Sequence, residues 1–376
     1  MSWNIPLFKI YWDEADLKGI TESIESGMNW AVGANVTSFE RGLSEYVGSK
    51  YCLTFNSGTS ALHALLLAHG IGPGDEVIVP SFSFIATANS PLFVGAKPIF
   101  ADIEKETYGL SPDDVAEKIN RKTKAIMPIH YGGCPCKIRE LKDLAEEHGL
   151  LLIEDAAESF GAEIDGRKVG TFGDSAMLSF CQNKVITTGE GGAILTGSEE
   201  VYESLKLIRS HGRLETSDYF SSSDHMDYIS LGYNFRMPNL LAALGLSQLG
   251  KVDKIIAMRR KNASRLSRRL QEIQEITIPK PPKGYDHVYQ MYTISLKKRD
   301  LMIKHLADRG IMSKVYFDPI HKTSFYRNKL GYKVELPTTQ SVSETVLTLP
   351  MHPAITPEDL NAVCEGIEDF YSEVNA

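Results

Sequence analysis

The hydrophobic residues of this chain switch repeatedly between the spacing of strands and the spacing of helices. Short, nearly continuous apolar runs alternate with segments whose apolar residues recur every three or four positions. The runs are YCLTF (51–55), VIVP (77–80), KPIFADI (97–103), KAIMPIHY (124–131) and LLLIEDA (150–156). Strands of this kind are buried on both faces, as in parallel sheets covered by helices. The sequence therefore predicts an α/β main domain with a mostly parallel sheet.

The later part of the chain indicates a second domain. A chain of 376 residues is long enough for two, because one domain takes roughly 100–200 residues. Residues 237–274 show one long helical pattern, with Pro238 in its first turn and Gly250 as the candidate break point. A connector rich in proline and glycine follows at residues 279–287.

We predict a large domain over residues 1–250 and a smaller α+β domain over residues 251–376. The N-terminal segment is a candidate to pack on the smaller domain. The last helix is expected to have Thr356 as its N-cap and Pro357 at its first position.

Charge and composition exclude several classes of partner. The net charge of −8 leaves no electrostatic footprint for nucleic acid, and the basic stretch at residues 259–269 is predicted to be a solvated helix face. No apolar run is long enough to span a bilayer, and the N-terminus does not look like a signal sequence. Five cysteines favour a reducing compartment, so we expect a cytoplasmic protein. Cys134 and Cys136 are interpreted as a thiol-bearing loop, and no metal site is predicted.

A first chemical signal follows the strand that ends at Phe55. Ser57, Gly58 and Thr59 would then lie at the N-terminus of a helix. Free backbone N–H groups and two hydroxyls at such a position can hold a phosphate dianion. An ordinary N-cap explains the same residues equally well.

The second signal is the acidic end of the run at residues 150–156. A buried parallel strand delivers its last side chains to the carboxyl edge of the sheet, where ligands bind in open α/β folds. Glu154 and Asp155 point to opposite faces, so only one of them can serve a ligand there. The residues alone do not decide which, and an acid that orders a loop is the alternative for both.

The third signal is Lys184, in the stretch SFCQNKVITTGEGG (179–192). Taken alone, a lysine at a glycine-rich turn is usually solvated. A phosphate cradle, a carboxylate and an amine are, however, the three groups by which a protein holds pyridoxal 5′-phosphate (PLP). The three segments together therefore predict a PLP site.

These segments also carry a family resemblance that extends over nearly the whole chain. The chain resembles the sugar aminotransferases of the DegT/DnrJ/EryC1/StrS family, which have the aspartate aminotransferase fold, fold type I of the PLP enzymes. The motifs that match are NSGTSAL (56–62), GDEVIVPSFSFIATAN (74–89), KPIFADI (97–103), EDAAESFGAEIDGRKVGTFGD (154–174), SFCQNKVITTGEGG (179–192) and LGYNFRMPNLLAALGLSQL (231–249).

The resemblance implies roles for the residues that match these motifs. Lys184 would form a Schiff base with the cofactor, and Asp155 would pair with the pyridine nitrogen. Gly58 and Thr59 would bind the phosphate, helped by the Ser179 hydroxyl. Lys184 and Asp155 are therefore the expected catalytic residues, with pyridoxamine 5′-phosphate as the intermediate form of the cofactor.

Three further residues match family positions outside this group. Phe84 would stack on the cofactor ring, and core packing is the alternative. Asn234 would reach the phosphate of the neighbouring subunit, which implies a homodimer with shared sites; a turn is the alternative. His321 matches a histidine that faces the substrate, and structural packing is the alternative.

The resemblance also implies the reaction. Glutamate would donate the amino group, and a nucleotide-linked 4-keto-6-deoxyhexose, or a 3-keto relative, would accept it in amino-sugar or surface-polysaccharide biosynthesis. The stretch at residues 179–192 most resembles that of perosamine synthases, although Cys181 replaces a histidine frequent in the family. The alternatives are a dehydratase, which Lys184 disfavours because such relatives carry histidine there, and a non-catalytic regulatory protein.

Overall fold

The structure is a computed structural model that describes residues 3–214, 222–223 and 225–375. Its strands are β1 Tyr51–Phe55, β2 Glu76–Pro80, β3 Lys97–Ala101, β4 Thr123–Ile126, β5 Leu151–Asp155, β6 Glu163–Ile164, β7 Arg167–Lys168, β8 Ser175–Ser179, β9 Gly192–Thr196, β10 Ile276–Thr277, β11 Tyr285–Asp286, β12 Tyr292–Leu296 and β13 Val346–Leu349. In the described part of the chain, the largest sheet has the order β1-β9-β8-β5-β4-β2-β3. Its pairs from β3 to β8 are parallel, and β9 runs antiparallel to β1 and β8. The prediction of a mostly parallel sheet is confirmed.

Helices cover both faces of this sheet. The helices of the described part of the chain are α1 Glu14–Glu25, α2 Ala34–Val47, α3 Gly58–Ala68, α4 Ile85–Phe93, α5 Pro112–Lys118, α6 Ile138–His148, α7 Glu199–Arg209, α8 Asn239–Leu249, α9 Val252–Leu270, α10 Arg299–Asp308, α11 Pro337–Thr345 and α12 Pro357–Asn375. Apolar residues of α2 and α6 share one core cluster with Leu152 of β5, whereas those of α3 and α7 share another with Ile153. Neighbouring residues of β5 thus face different layers. Among the described residues, no helix combines the length and the apolar composition needed to cross a bilayer.

A second sheet and core lie in the C-terminal part of the chain. Strand β12 pairs antiparallel with β10 and β13, and a separate hydrophobic cluster joins them to α9, α10 and α12. The N-terminal segment contacts this unit, since Ile5 pairs with Ile311 and the Met351 N–H donates to the Leu7 carbonyl over 3.1 Å. A domain boundary at residue 250 stays a prediction.

The long helical pattern after Pro238 is two helices rather than one. Helix α8 ends at Leu249 and α9 begins at Val252, so the chain breaks beside Gly250, the candidate break point. Pro238 precedes the first residue of α8 as its N-cap and is not inside the first turn. The N-cap prediction for the last helix is confirmed, because the Thr356 hydroxyl accepts from the Asp359 N–H over 3.0 Å.

The prediction of a solvated basic face at residues 259–269 is wrong for its first residue. Arg259 is buried, and its guanidinium donates to the backbone carbonyls of Tyr289, Gln290 and Met351. Burial lowers the pKa of Arg259 to about 10. The side chain therefore joins α9 to the second sheet, which a helical charge pattern cannot reveal.

Glu154 fixes the loops on one side of β5. It is fully buried, and its carboxylate accepts hydrogen bonds of 2.7–3.0 Å from the backbone N–H groups of Gly170, Phe172 and Gly173 and from His130 Nε2. The Cys136 N–H donates to His130 Nδ1, so the ring proton lies on Nε2. Burial would raise the pKa of Glu154, but the hydrogen bonds from His130 and the backbone outweigh burial and hold it below its usual value. Glu154 is therefore an acid that orders loops.

We expect Glu154→Ala to lower the free energy of unfolding by about 3–5 kcal/mol, because it leaves several buried donors without an acceptor. Chemical denaturation of the two proteins measures the difference. Glu146→Ala on the exposed face of α6 is the control, with an expected change within about 0.5 kcal/mol. Equal effects of the two substitutions would contradict the assignment.

Candidate active site

The turn from β1 into α3 leads directly into a helix N-terminus. The Ser57 side chain caps α3 by accepting from the Ser60 N–H over 3.1 Å, so the N-cap interpretation holds for Ser57. The N–H groups of Gly58 and Thr59, the first two residues of the helix, have no acceptor within it. They are left for an outside acceptor.

Ser179 lies beside this helix terminus. A side-chain carbon built at Gly58 would lie 3.2 Å from Ser179 Cβ and 3.4 Å from its hydroxyl oxygen. The 3.2 Å distance is shorter than an ordinary van der Waals contact, so a larger residue at position 58 would require Ser179 to shift. Ser179 is the last residue of β8, so the structure brings the predicted hydroxyl to the start of α3.

Asp155 ends β5 on the face opposite Glu154. The residue is 3% exposed, and its carboxylate accepts from the Thr87 hydroxyl over 2.7 Å and from the Ala157 N–H over 3.2 Å. Burial raises the pKa of Asp155, while the two hydrogen bonds and the positive charge of Lys184 act in the opposite direction. The carboxylate and the lysine amine are therefore electrostatically coupled.

Lys184 lies in the turn that follows β8. Its backbone N–H donates to the Cys181 carbonyl over 3.0 Å, and its side chain is only 14% exposed. The Nζ atom lies 3.7 Å from Oε1 of Glu158. A lysine in this position is not the solvated surface residue that its local sequence alone would favour.

Glu158 is a site residue that the sequence reasoning missed. Its buried carboxylate accepts from the Gly132 N–H over 2.8 Å. Burial raises the pKa of Glu158, and Lys184 partly offsets that effect. The available signal was its spacing of three residues from Asp155 in the run EDAAES.

Phe84 and Asn234 lie at the exposed margin of this region. Phe84 precedes α4, is 56% exposed, and has its ring centre 6.3 Å from that of Phe317. The core-packing alternative is therefore wrong for Phe84. Asn234 is exposed, and its backbone carbonyl accepts from the Asn56 side chain over 3.3 Å, next to the start of α3.

His321 has a structural partner. It is buried, and its Nδ1 lies 2.6 Å from the hydroxyl oxygen of Ser81. The His321 backbone N–H also donates to that oxygen, over 3.0 Å. Burial lowers the pKa of His321. These contacts agree with the alternative that His321 has a structural packing role. A role of His321 toward the substrate stays a prediction.

Cys134 and Cys136 do not join the site chemistry. Both are buried free thiols, and burial raises the pKa of Cys134 to about 12. Reactive thiols need the opposite shift.

The chain is similar to known aminotransferases over its whole length. The model of the DegT/DnrJ/EryC1/StrS aminotransferase family matches residues 11–368. The GDP-perosamine synthase of Vibrio cholerae is 36% identical over 373 residues, covering 98% of this chain and 99% of that protein.

Solved structures share the fold. Helicobacter pylori PseC, an aminotransferase involved in the biosynthesis of pseudoaminic acid, matches with a TM-score of 0.93 at 30% identity, over 98% of this chain and 99% of that one. S. venezuelae DesV, solved in complex with a ketimine intermediate, matches with a TM-score of 0.90 at 28% identity, over 98% and 99%. The predicted fold type I architecture is confirmed. This chain therefore belongs to the DegT/DnrJ/EryC1/StrS aminotransferase family.

Proposed function

We propose that this aminotransferase uses PLP to move the amino group of glutamate onto a nucleotide-linked 4-keto-6-deoxyhexose. The observation that carries the proposal is the position of Lys184. Its side chain is only 14% exposed, its Nζ lies 3.7 Å from Oε1 of Glu158, and its charge acts on Asp155 at the sheet edge where α3 begins. We infer a cytoplasmic enzyme, in keeping with its free cysteines.

The residues present fit PLP. Gly58 and Thr59 offer free N–H groups, and the Ser179 hydroxyl lies beside them, which suits a phosphate dianion. Each oxygen of Asp155 has one hydrogen bond and keeps a second lone pair for a protonated ring nitrogen. Phe84 would supply an aromatic face for the ring.

The chain's own residues define the proton path. PLP, when bound, supplies an electron sink for breaking the C–H bond at the α-carbon of the amino donor. Lys184 would hold the cofactor aldehyde through Nζ. Once the donor has replaced it, the same Nζ can take a proton from one carbon and deliver it to another, because it stays tethered beside both. Glu158, at 3.7 Å, can balance the ammonium charge while Nζ holds that proton.

We propose a GDP-linked sugar as the first acceptor to test, because the chain matches GDP-perosamine synthase over 98% of its length. Cys181 departs from the usual family motif. It lies three residues before Lys184, where the family often has histidine, and its sulfur is 3.7 Å from Glu190 Oε1. The substrate class is therefore proposed on whole-chain similarity and not on this residue.

We also propose a homodimer as the active unit. Large apolar side chains remain exposed around Asn234: Leu231 is 80% exposed, and Phe93 is about half exposed. The His63 ring connects these parts, because it lies 5.4 Å from the Phe93 ring and 5.0 Å from the Tyr233 ring. An exposed apolar surface of this kind usually contacts another protein. A second copy would cover it and bring Asn234 toward the neighbouring site.

With L-glutamate and GDP-, UDP- or dTDP-linked 4-keto-6-deoxyhexoses, we expect 2-oxoglutarate and an amino sugar, with the GDP sugar preferred. Lys184→Ala should lower the rate by at least about 100-fold, because it removes the proton carrier. Mass spectrometry of both products measures the reaction, and exposed Lys18→Ala is the matched control. A deoxygenated sugar without 2-oxoglutarate would contradict the proposal.

Leu231→Asp should shift the protein toward monomers, since it introduces a charge into the proposed apolar interface. We expect the dimer dissociation constant, measured by sedimentation velocity, to rise at least about tenfold. Leu301→Asp, also on an exposed leucine but in α10, should leave it unchanged. A wild-type protein that is monomeric at every concentration would refute the interface.

A further inference from the structure

Two buried hydroxyl groups lie in line behind Asp155. The Ser83 hydroxyl oxygen is 2.7 Å from that of Thr87, and the Thr87 hydroxyl oxygen is 2.7 Å from Oδ2 of Asp155. Ser83 and Thr87 are each 1% exposed. Ser83 belongs to the segment that follows β2, and Thr87 lies in the first turn of α4, so two connected segments meet the end of β5 here.

With Asp155 ionised, the direction of the protons in this line is fixed. An ionised carboxylate only accepts, so the single hydroxyl proton of Thr87 goes to Asp155. Thr87 must then accept from Ser83, whose proton is free to point to it. The Ala157 N–H holds the other carboxylate oxygen over 3.2 Å. Each oxygen of the Asp155 carboxylate therefore accepts a hydrogen bond, and the two bonds restrain its rotation.

The charges around Asp155 make its hydrogen bond from Thr87 important for its ionisation. Burial disfavours the ionised form of Asp155, and the negative charge of Glu158 is close enough to interact with it. Lys184 and His130 act in the opposite direction. A hydrogen bond from a buried neutral hydroxyl favours the ionised form without adding a charge that would compete for the cofactor.

We propose that Thr87 is a positioning residue of the transamination: it keeps Asp155 ionised and aimed at the cofactor ring nitrogen, and Ser83 fixes the orientation of its hydroxyl. The inference rests on the proposed function, which makes Asp155 the partner of that nitrogen. It extends the site to two residues of the PSFSFIAT segment, which lie behind Asp155.

Thr87→Val tests the role, because valine has the shape of threonine without the hydroxyl. We expect the dissociation constant for PLP, measured by absorbance titration of the apo protein, to rise by roughly 10- to 100-fold, the effect of losing a hydrogen bond to a charged group. Thr87→Ser keeps the donor and should stay within about threefold of the wild type. Ser83→Ala should weaken binding in the same direction, but less.

The pH dependence separates positioning from a structural role. Losing the hydrogen bond raises the pKa of Asp155, so the ionised form is lost at a higher pH as the pH falls. The acid limb of PLP binding should therefore move to higher pH in Thr87→Val and stay in place in Thr87→Ser. Equal weakening in both variants, with no shift of the acid limb, would overturn the proposal.

The substitution Asp155→Asn separates a failure of the proposed role of Thr87 from a failure of the assignment of Asp155. If Asp155→Asn weakens PLP binding and Thr87→Val does not, the role of Thr87 is refuted and the proposed function stands. If Asp155→Asn changes neither the affinity nor the absorbance spectrum of bound PLP, the assignment of Asp155 fails, and the role of Thr87 fails with it. Should Thr87→Val not fold, Ser83→Ala with unchanged affinity and acid limb would equally overturn the proposal.

Discussion

The carboxyl ends of β1, β5 and β8 lie at one edge of the central sheet, and the candidate site depends on that arrangement. Strand β9 reverses direction between β1 and β8, so its two neighbours point the same way. Three of the segments that leave this edge are the start of α3, the turn after Asp155 and the loop that carries Lys184. Groups more than a hundred residues apart in sequence thereby face one small volume.

Because side chains alternate between the two faces of β5, the adjacent acids Glu154 and Asp155 lie in different surroundings and have different roles. Glu154 faces the layer that contains the loop at residues 170–173 and is saturated by four donors. Asp155 faces the open edge and keeps accepting capacity. A shift of the strand by one residue would exchange these environments, so the packing of β5 also sets the chemistry at its end.

The sequence predicted much of the fold, because buried parallel strands are short apolar runs that end at turn residues. Strand β1 was predicted at its observed bounds, and β5 to within one residue at each end. Contacts between residues far apart in the sequence could not be predicted. The burial of Arg259, for example, depends on carbonyls near residues 290 and 351. Glu158 was missed for the same reason, since its partners Gly132 and Lys184 lie 26 residues away on either side. Choosing Asp155 over Glu154 needed the family resemblance, because both acids end the same strand.

The most direct test of the central idea is whether the amine of Lys184 bonds to PLP. Purified protein should be incubated with PLP, reduced with borohydride and digested, and the modified peptide should be identified by mass spectrometry. The account predicts one stoichiometric pyridoxyl group, on Lys184. Labelling spread over exposed lysines, or none at all, would contradict it.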